Sequence, residues 1–257
     1  KLIGLIVQAR MGSSRLPGKV MMQIDGKNPL LYYAIKQNKV SKYGKNLVIA
    51  TTTKSEDDII EEYAKKNNIM IFRGSSENVL DRYYQCAKKF SFSIIVRLTG
   101  DNPFNDPTVI DAMIKKYQNN SFDFISTGGD SRYYPEGIGV EVFSFDILED
   151  AWKNAILPSE KEHVTSYFYN NPQKFRCHFE KCEKNYSSFR WTVDREDDLQ
   201  MVREICKRIK KSPILIKDII NLFEKESQLR KINSNHIPNE GYIKSLKEDE
   251  DFLKSKN

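Results

Sequence analysis

The chain has 257 residues, of which 39% are hydrophobic and 11% aromatic, so it can bury a large core. We expect one main α/β domain with an appendage. The 41 Lys and Arg residues against 35 Asp and Glu residues give a net charge of +6. This mild basic excess suits a phosphate-rich small ligand as well as nucleic acid.

Two large classes of protein do not fit this composition. No apolar run approaches the roughly 20 residues that cross a bilayer, and the opening KLIGLIVQARMG lacks the features of a signal peptide. The four cysteines form no C-x-x-C pair and are too sparse for a disulfide scaffold. We therefore expect a cytoplasmic protein with reduced thiols and no membrane partner.

Short apolar runs alternate with amphipathic stretches through the first half of the chain. This alternation is typical of a mostly parallel sheet with helices on both faces. The predicted strands are Leu2–Val7, Leu47–Thr51, Ile69–Phe72 and Ile94–Leu98, and the predicted helices are Pro29–Val40, Glu56–Asn67, Asn78–Phe90 and Pro107–Tyr117.

The rhythm breaks after an apolar run at Phe122–Ser126. We interpret residues 127–190 as an excursion from the sheet, suited to covering an acceptor or pairing two subunits. The main domain would span residues 1–227, and the polar residues 228–257 would form a surface extension with local helix. Later helices are predicted at Asp146–Asn154, His163–Asn170, Asp197–Lys210 and Ile216–Glu226, and strands at Lys174–Phe179 and Phe189–Val193.

The most informative segment follows the first predicted strand and reads VQARMGSSRLPGK, residues 7–19. Open α/β sheets bind ligands at the carboxyl ends of their strands, so this loop lies where a nucleotide would bind. It is neither a P-loop nor a dinucleotide G-x-G-x-x-G motif, and its plainer interpretation is a solvated basic turn. Its glycine, hydroxyls and cations suit a triphosphate: Gly12, Ser13, Ser14, Arg10, Arg15 and Lys19.

Two aspartates stand where predicted strands end. Asp101 follows Ile94–Leu98 in the sequence TGDNP, and Asp194 follows Phe189–Val193. Carboxylates at the carboxyl ends of strands can face one crevice and hold a hard cation. The alternatives are a turn aspartate for Asp101 and a helix N-cap for Asp194.

Six segments, in chain order, resemble the cytidylyltransferase family that includes the 3-deoxy-manno-octulosonate and acylneuraminate enzymes. The similarity is to the spore coat polysaccharide biosynthesis branch. It runs from Ile6 to about Leu199, and the tail segment NEGYIKSL, residues 239–246, also looks like that branch. The chain departs at Gly139, where relatives commonly have an acidic residue. The segments are IVQARMGSSRLPGKV, FRGSSENVLDRYYQ, VRLTGDNPFNDP, YPEGIGVEVF, EHVTSYFYNNP and RWTVDREDDL.

The resemblance implies a Rossmann-like sheet of the nucleotide-diphospho-sugar transferase type, usually in a homodimer. The implied reaction moves CMP from CTP onto a small anionic acceptor, a sugar acid or a phosphorylated metabolite, and releases pyrophosphate. Such a reaction would serve the synthesis of surface polysaccharide or glycoconjugate precursors. Residues 127–190 would contribute to the acceptor site and to the dimer contact.

The resemblance also implies the roles of individual residues. Asp101 and Asp194 would hold Mg²⁺, and with Arg10, Arg15 and Lys19 they form the implied catalytic set. Glu136, Glu141 and His163 would contact the acceptor, although a structural hydrogen bond explains His163 equally well. The implied nucleotide-binding residues are Ala9, Arg10, Gly12, Ser13, Arg15, Lys19, Gly74, Ser75, Asp81, Arg82 and Thr99.

Two other functions remain open at this point. One is a metal-dependent glycosyltransferase, which needs an Asp-x-Asp metal site, whereas Asp101 is followed by Asn and Pro. The other is a non-enzymatic RNA-binding module, although the cations concentrate in one loop and no RNA-binding signature is present. The cytidylyltransferase hypothesis excludes a nucleic-acid partner and makes a geometric prediction. The carboxylates of Asp101 and Asp194 should lie within reach of one cation, opposite the Arg10–Lys19 loop.

Overall fold

The computed structural model describes residues 1–129, 132–236 and 240–256. Two residues of the 127–190 segment, Asp130 and Ser131, lie outside the described residues, and so does Asn239, the first residue of the tail segment NEGYIKSL.

A mixed sheet forms the centre of the described structure. Its strands are β1 (Ile3–Gln8), β2 (Leu47–Thr52), β3 (Met70–Gly74), β4 (Ile94–Thr99), β5 (Phe124–Ser126), β6 (Glu141–Ser144) and β7 (Cys177–Phe179). The spatial order is β3-β2-β1-β4-β6-β5-β7. The first four strands are parallel, β6 runs antiparallel to both β4 and β5, and β7 runs parallel to β5.

Helices cover both faces of this sheet. Along β1, Leu5 and Val7 contribute to one core cluster with α1, α2 and α4, whereas Ile6 contributes to the other with α3 and α5. This is the alternation that period-2 side chains produce when a sheet is buried on both sides. The helices are α1 (Leu30–Asn38), α2 (Asp58–Lys66), α3 (Val79–Lys89), α4 (Pro107–Asn119), α5 (Phe145–Asn154), α6 (Pro158–His163), α7 (Ser166–Tyr169), α8 (Glu196–Arg208), α9 (Ile216–Lys225) and α10 (Glu240–Lys254).

The predicted α/β class and the covering of both faces are confirmed, and the strands and helices of the first half of the chain form within a few residues of their predicted bounds. None of the helices in the described ranges is both long and apolar enough to span a bilayer.

The prediction that residues 127–190 leave the sheet is wrong in part. β6 inserts between β4 and β5, and β7 extends the sheet beyond β5. Both strands are short, with four residues in β6 and three in β7, and β6 runs against the direction of the parallel strands. Short strands carry too little periodicity to be separated from loop by pattern alone.

Phe189–Val193 does not form the predicted strand, and its bridge to another segment, between Arg190 and Glu136, is isolated. The apolar residues of the segment pack with α8 and α9 in a third core cluster instead of a sheet face. Gly137 permits the bridge, because a Cβ there would lie 2.5 Å from the backbone nitrogen of Thr192, and its φ of 109° favours glycine.

The predicted helix His163–Asn170 is wrong in part: only Ser166–Tyr169 of that range forms a helix, α7, and His163 is instead the last residue of the preceding helix, α6. The break is at Val164, whose φ of 60° is in the left-handed region. That conformation is costly for a β-branched residue, so the surrounding packing must maintain it. The break directs Thr165 toward Glu141 of β6, to which its hydroxyl donates at 3.0 Å.

The tail, predicted as a surface extension with local helix, packs α10 against α6. Asp249 accepts a hydrogen bond from the backbone N–H of Ser159 at 2.9 Å, and the hydroxyl of Ser245 lies 2.9 Å from Nε2 of His163. Both tail residues are buried. These contacts bring α10 to the same region as the loop after β1.

Candidate active site

The side chain of Asp57 holds the loop after β1 in place. This buried carboxylate accepts from the backbone N–H of Met11 at 2.6 Å and from the hydroxyl of Thr52 on β2. The loop then turns back on itself, because the N–H of Gly18 donates to the carbonyl of Met11 at 2.8 Å. Gly18 has a φ of 75°, a conformation that glycine adopts at little cost. The loop is therefore preorganised before any ligand binds.

Lys19 ends this loop and points into the protein. Its ammonium donates to Asp101 at 2.7 Å, to Asp194 at 3.0 Å and to the carbonyl of Val193 at 2.6 Å. Its side chain is only 9% exposed. Both carboxylates thus lie within 3.0 Å of one nitrogen atom, which is the convergence that the sequence predicted.

A backbone contact brings the two aspartates together. The N–H of Val193 donates to the carbonyl of Asp101 at 3.0 Å, so Asp194 follows directly beside the end of β4. The N-cap alternative for Asp194 is wrong, since the carboxylate that accepts at the start of α8 belongs to Asp198. That residue accepts from the N–H groups of Asp194 and Arg195 at 2.9 and 3.1 Å.

The opposite charges in this cluster shift the pKa values of Lys19 and Asp194. Burial would lower the pKa of Lys19, but the charges of Asp101 and Asp194 raise it above its ordinary value. Burial would raise the pKa of Asp194, but Lys19 and Arg15 hold it well below its usual range. Arg15 lies 2.7 Å from Asp194, and Arg190 lies 2.7 Å from its other oxygen. Asp194 is therefore ionised at neutral pH.

A cavity of about 690 Å³ opens over this cluster, a volume typical of small-molecule sites. Its walls come from the loop after β1, the end of β4, α6 and α10. The predicted site residues that line it are Ala9, Arg10, Gly12, Ser13, Arg15, Lys19, Arg82, Thr99, Asp101, His163 and Asp194.

Five residues implied by the resemblance do not line the cavity. Asp81 accepts from the indole N–H of Trp152 at 2.8 Å, so its carboxylate already has a structural role. Glu136 pairs with Arg190 at 2.7 Å, and Glu141 pairs with Arg97 at 2.6 Å behind the cavity wall. The other two are Gly74 and Ser75, whose backbone lies beside Arg82: the carbonyl of Ser75 accepts from this arginine at 3.0 Å.

Several cavity residues were not predicted from the sequence. Glu162 pairs with Arg10 at 3.1 Å, and Arg97 lines the wall from β4. Lys244 and Ser245 reach the cavity from α10. The sequence contained a signal for Glu162 and Arg97, because each lies in a segment that carries the family resemblance. Glu162 lies in EHVTSYFYNNP, and Arg97 lies in VRLTGDNPFNDP. The position of α10 had no such signal, since it depends on packing between distant parts of the chain.

His163 lies in the cavity wall and makes the structural hydrogen bond to Ser245 described above. Burial, followed by the positive charge of Arg97, lowers the pKa of His163 to about 4. The imidazole is therefore neutral at physiological pH. Contact with an acceptor stays a prediction, and it would use an uncharged ring.

The residues at the end of β4 fit a hard cation. The carboxylates of Asp101 and Asp194 already gather around one positive centre, and oxygen ligands of this kind are those that Mg²⁺ prefers. Asp101 is further oriented by the hydroxyl of Thr99, which donates to its second oxygen at 2.6 Å. In this structure the ammonium of Lys19 supplies the positive charge between them.

The sequence and the fold of the chain are both similar to those of known cytidylyltransferases. The family model described as "Cytidylyltransferase" matches residues 5–248. The spore coat polysaccharide biosynthesis protein SpsF of Bacillus subtilis is 36% identical over 81% of this chain and 88% of its own. A cytidylyltransferase structure from Leptospira borgpetersenii superposes with a TM-score of 0.85 at 32% identity, covering 92% of this chain and 98% of that one. The 3-deoxy-manno-octulosonate cytidylyltransferase of Chloroherpeton thalassium is 28% identical over 46% of each chain. The fold is of the nucleotide-diphospho-sugar transferase type.

Proposed function

Because the chain belongs to the cytidylyltransferase family, we propose that it transfers CMP from CTP to a small anionic acceptor and releases pyrophosphate. The observation that carries the proposal is the meeting of Arg15 and Lys19 with Asp101 and Asp194 in one cavity. Cations for a triphosphate and carboxylates for a metal are then adjacent, as nucleotidyl transfer requires.

The acceptor class is inferred from the relatives and from the charge of the cavity. SpsF is named for polysaccharide biosynthesis, and the Chloroherpeton enzyme is named for a sugar acid. A sugar acid or a phosphorylated metabolite presents both an anion and a nucleophilic oxygen. Such an acceptor would make the product a precursor of a surface polysaccharide or glycoconjugate.

In the proposed reaction an acceptor oxygen attacks the α-phosphorus of CTP in line. The new bond joins that oxygen to phosphorus, the bond to the bridging oxygen breaks, and pyrophosphate leaves with the electron pair. Where the attacking oxygen belongs to a hydroxyl, its proton passes to solvent. Arg10, Arg15 and Lys19 neutralise charge on the departing pyrophosphate. The protein contributes mainly position and charge, so no side-chain nucleophile is needed.

Asp101 and Asp194 would hold the magnesium ion, which supplies positive charge at the α-phosphate when it is bound. Lys19 now occupies both carboxylates, so we infer that its ammonium turns from them toward the phosphates when CTP and the metal bind. Arg15 can follow the same course, since its partner in this structure is also Asp194. The ion pairs thus hold the cations close to the proposed position of the triphosphate.

The test is a pyrophosphate-release screen of CTP, UTP, ATP and GTP against a panel of acceptors with Mg²⁺. The panel contains 3-deoxy-manno-octulosonate, N-acetylneuraminate and phosphorylated sugars. We expect release that requires CTP, one acceptor and the metal, with CTP preferred over UTP as the family resemblance implies. Release from another nucleotide with CTP inactive would contradict the proposal, as would release from no nucleotide at all. The homodimer implied by the resemblance is also part of the proposal, and sedimentation of the purified protein tests it.

A further inference from the structure

Arg97 is a cavity residue whose hydrogen-bonding capacity the protein does not use fully. It lies on β4, lines the cavity, and its side chain is 14% exposed. One terminal nitrogen, Nη1, donates to Glu141 at 2.6 Å. The Nε of Arg97 is buried and donates to none of the residues that the structure describes. An unsatisfied buried donor is costly, and the side chain that carries it lines the cavity, where a ligand can supply an acceptor group to the guanidinium.

The position of Arg97 is fixed by its neighbours. It is paired in register with Glu141, across the antiparallel contact between β4 and β6. One oxygen of Glu141 accepts from Arg97, and the other accepts from the hydroxyl of Thr165 at 3.0 Å. On its other side the guanidinium lies 5.7 Å from the ring centroid of Tyr83. The guanidinium is therefore preorganised, which reduces the cost of binding a ligand to it.

The location of Arg97 separates it from the triphosphate loop. That loop follows β1, which is the neighbour of β4 on one side in the sheet. The Arg97–Glu141 pair joins β4 to β6, which is its neighbour on the other side. His163 and Ser245 line the same cavity, and the imidazole of His163 is neutral at physiological pH. A second anion bound at this side would not compete with the phosphates of CTP for Arg15 or Lys19.

We propose that Arg97 binds the anionic group of the acceptor, a carboxylate or a phosphate, and that Glu141 is the positioning residue that holds its guanidinium. The planar guanidinium has five N–H donors, so it can hold Glu141 by one nitrogen and a second anion by others. This inference rests on the proposed function, because it assigns the acceptor side of the same cavity. It also gives Glu141 an indirect part in acceptor binding without direct contact.

The experiment is a calorimetric titration of the protein already saturated with Mg²⁺ and α,β-methylene-CTP, so that the triphosphate site is filled. The probes are acetate and inorganic phosphate, which distinguish a carboxylate from a phosphate site. We expect saturable binding of at least one probe, weakened about tenfold or more by Arg97→Lys, which keeps the charge but loses the planar donors. Arg208→Lys is the matched control, because Arg208, at the end of α8 and away from the cavity, also pairs with a carboxylate, that of Glu226, and this variant should bind as the wild type does.

Affinity for the CTP analogue must stay unchanged in Arg97→Lys, which shows that the fold and the nucleotide side are intact. If this variant does not fold, Arg97→Gln combined with Glu141→Gln leaves no unpaired buried charge and must show the same loss of anion binding. Equal anion affinity in wild type and variants would overturn the proposal, and so would the absence of saturable binding to the wild type. Arg97-dependent anion binding without pyrophosphate release from any nucleotide would remove the proposed function and leave this site standing.

Discussion

The ammonium of Lys19 lies 2.7 Å from the carboxylate of Asp101 and bridges it to Asp194. The three residues come from the loop after β1, the end of β4 and the turn before α8, so the contact joins three separate parts of the chain. The lysine lies between the two carboxylates that are proposed to hold Mg²⁺. The cluster is thus a balanced set of charges that can separate when metal and triphosphate arrive together.

Replacing Arg15 with alanine should lower kcat/KM for CTP by the equivalent of about 2–4 kcal/mol, because a charge-assisted phosphate contact is lost. Steady-state kinetics measure the change, and Lys42→Ala, which removes an exposed lysine elsewhere, is the matched control. Unchanged kcat/KM in Arg15→Ala would remove the loop from the mechanism. Lys19→Ala should in addition destabilise the protein, since it takes from Asp101 the buried cation that pairs with it, whereas Asp194 keeps Arg15 and Arg190.

The loop should also depend on Asp57, which does not line the cavity. Asp57→Ala leaves the N–H of Met11 and the hydroxyl of Thr52 without their acceptor, at a cost of about 1–3 kcal/mol in the free energy of unfolding. Weaker CTP binding should accompany this loss, because the loop is no longer held in one conformation. Chemical denaturation and CTP titration measure the two effects. The control is the exposed neighbour Asp58→Ala, and equal CTP affinity in both variants would contradict the anchoring role.

The packing of α10 should depend on one buried carboxylate. Asp249→Ala removes the acceptor for the N–H of Ser159 and should loosen α10 from α6. Limited proteolysis should then cleave the C-terminal region faster than in the wild type. Asp251→Ala, two positions along the same helix and exposed, should leave the rate unchanged. Identical cleavage rates in the two variants would show that this contact does not hold the helix.

His163 should make stability fall in mildly acidic solution. Its pKa in the folded protein, about 4, is below the ordinary value of 6.5, so the unfolded chain binds more protons between these values. The free energy of unfolding therefore decreases as pH falls from about 6.5 toward 4. Denaturation curves across this range should be less steep in pH for His163→Gln, which can still hydrogen bond to Ser245 and cannot be protonated. The charged groups that act on the pKa of His163 are Arg97, Glu162 and Asp249, and an identical pH dependence in the variant would assign the effect to groups other than the imidazole.

The architecture of the first half of the chain could be predicted from the sequence because its strands and helices are long enough to show their periods. The same pattern reasoning placed Asp101 at the carboxyl end of β4. Asp194 lies beside Asp101, as predicted, but it does not follow a strand. A backbone hydrogen bond from Val193 holds it there instead. The apolar alternation of Phe189–Val193 serves packing against α8 and α9, which a local pattern does not distinguish from a sheet.

The rest of the site depends on contacts between distant residues. The position of Ser245 beside His163 follows from the packing of α6 with α10, and the pairing of Arg10 with Glu162 joins α6 to the loop after β1. The fold of the tail could not be inferred from a polar, weakly periodic segment. Of the three functions left open by the sequence, the family match selects the nucleotidyltransferase over the glycosyltransferase and the RNA-binding module. The individual roles of the site residues stay predictions.

The most direct test of the account is the affinity for CTP in the presence of Mg²⁺, measured by calorimetry for the wild type, Asp101→Asn, Asp194→Asn and the double variant. If the two carboxylates act as one unit, each single change should weaken Mg²⁺-dependent CTP binding about tenfold or more, and the double variant should be little worse than either. Circular dichroism checks that each variant is folded, and binding without Mg²⁺ gives the baseline. Affinities that are unchanged in the single variants, or losses that simply add in the double variant, would contradict a shared metal site at Asp101 and Asp194.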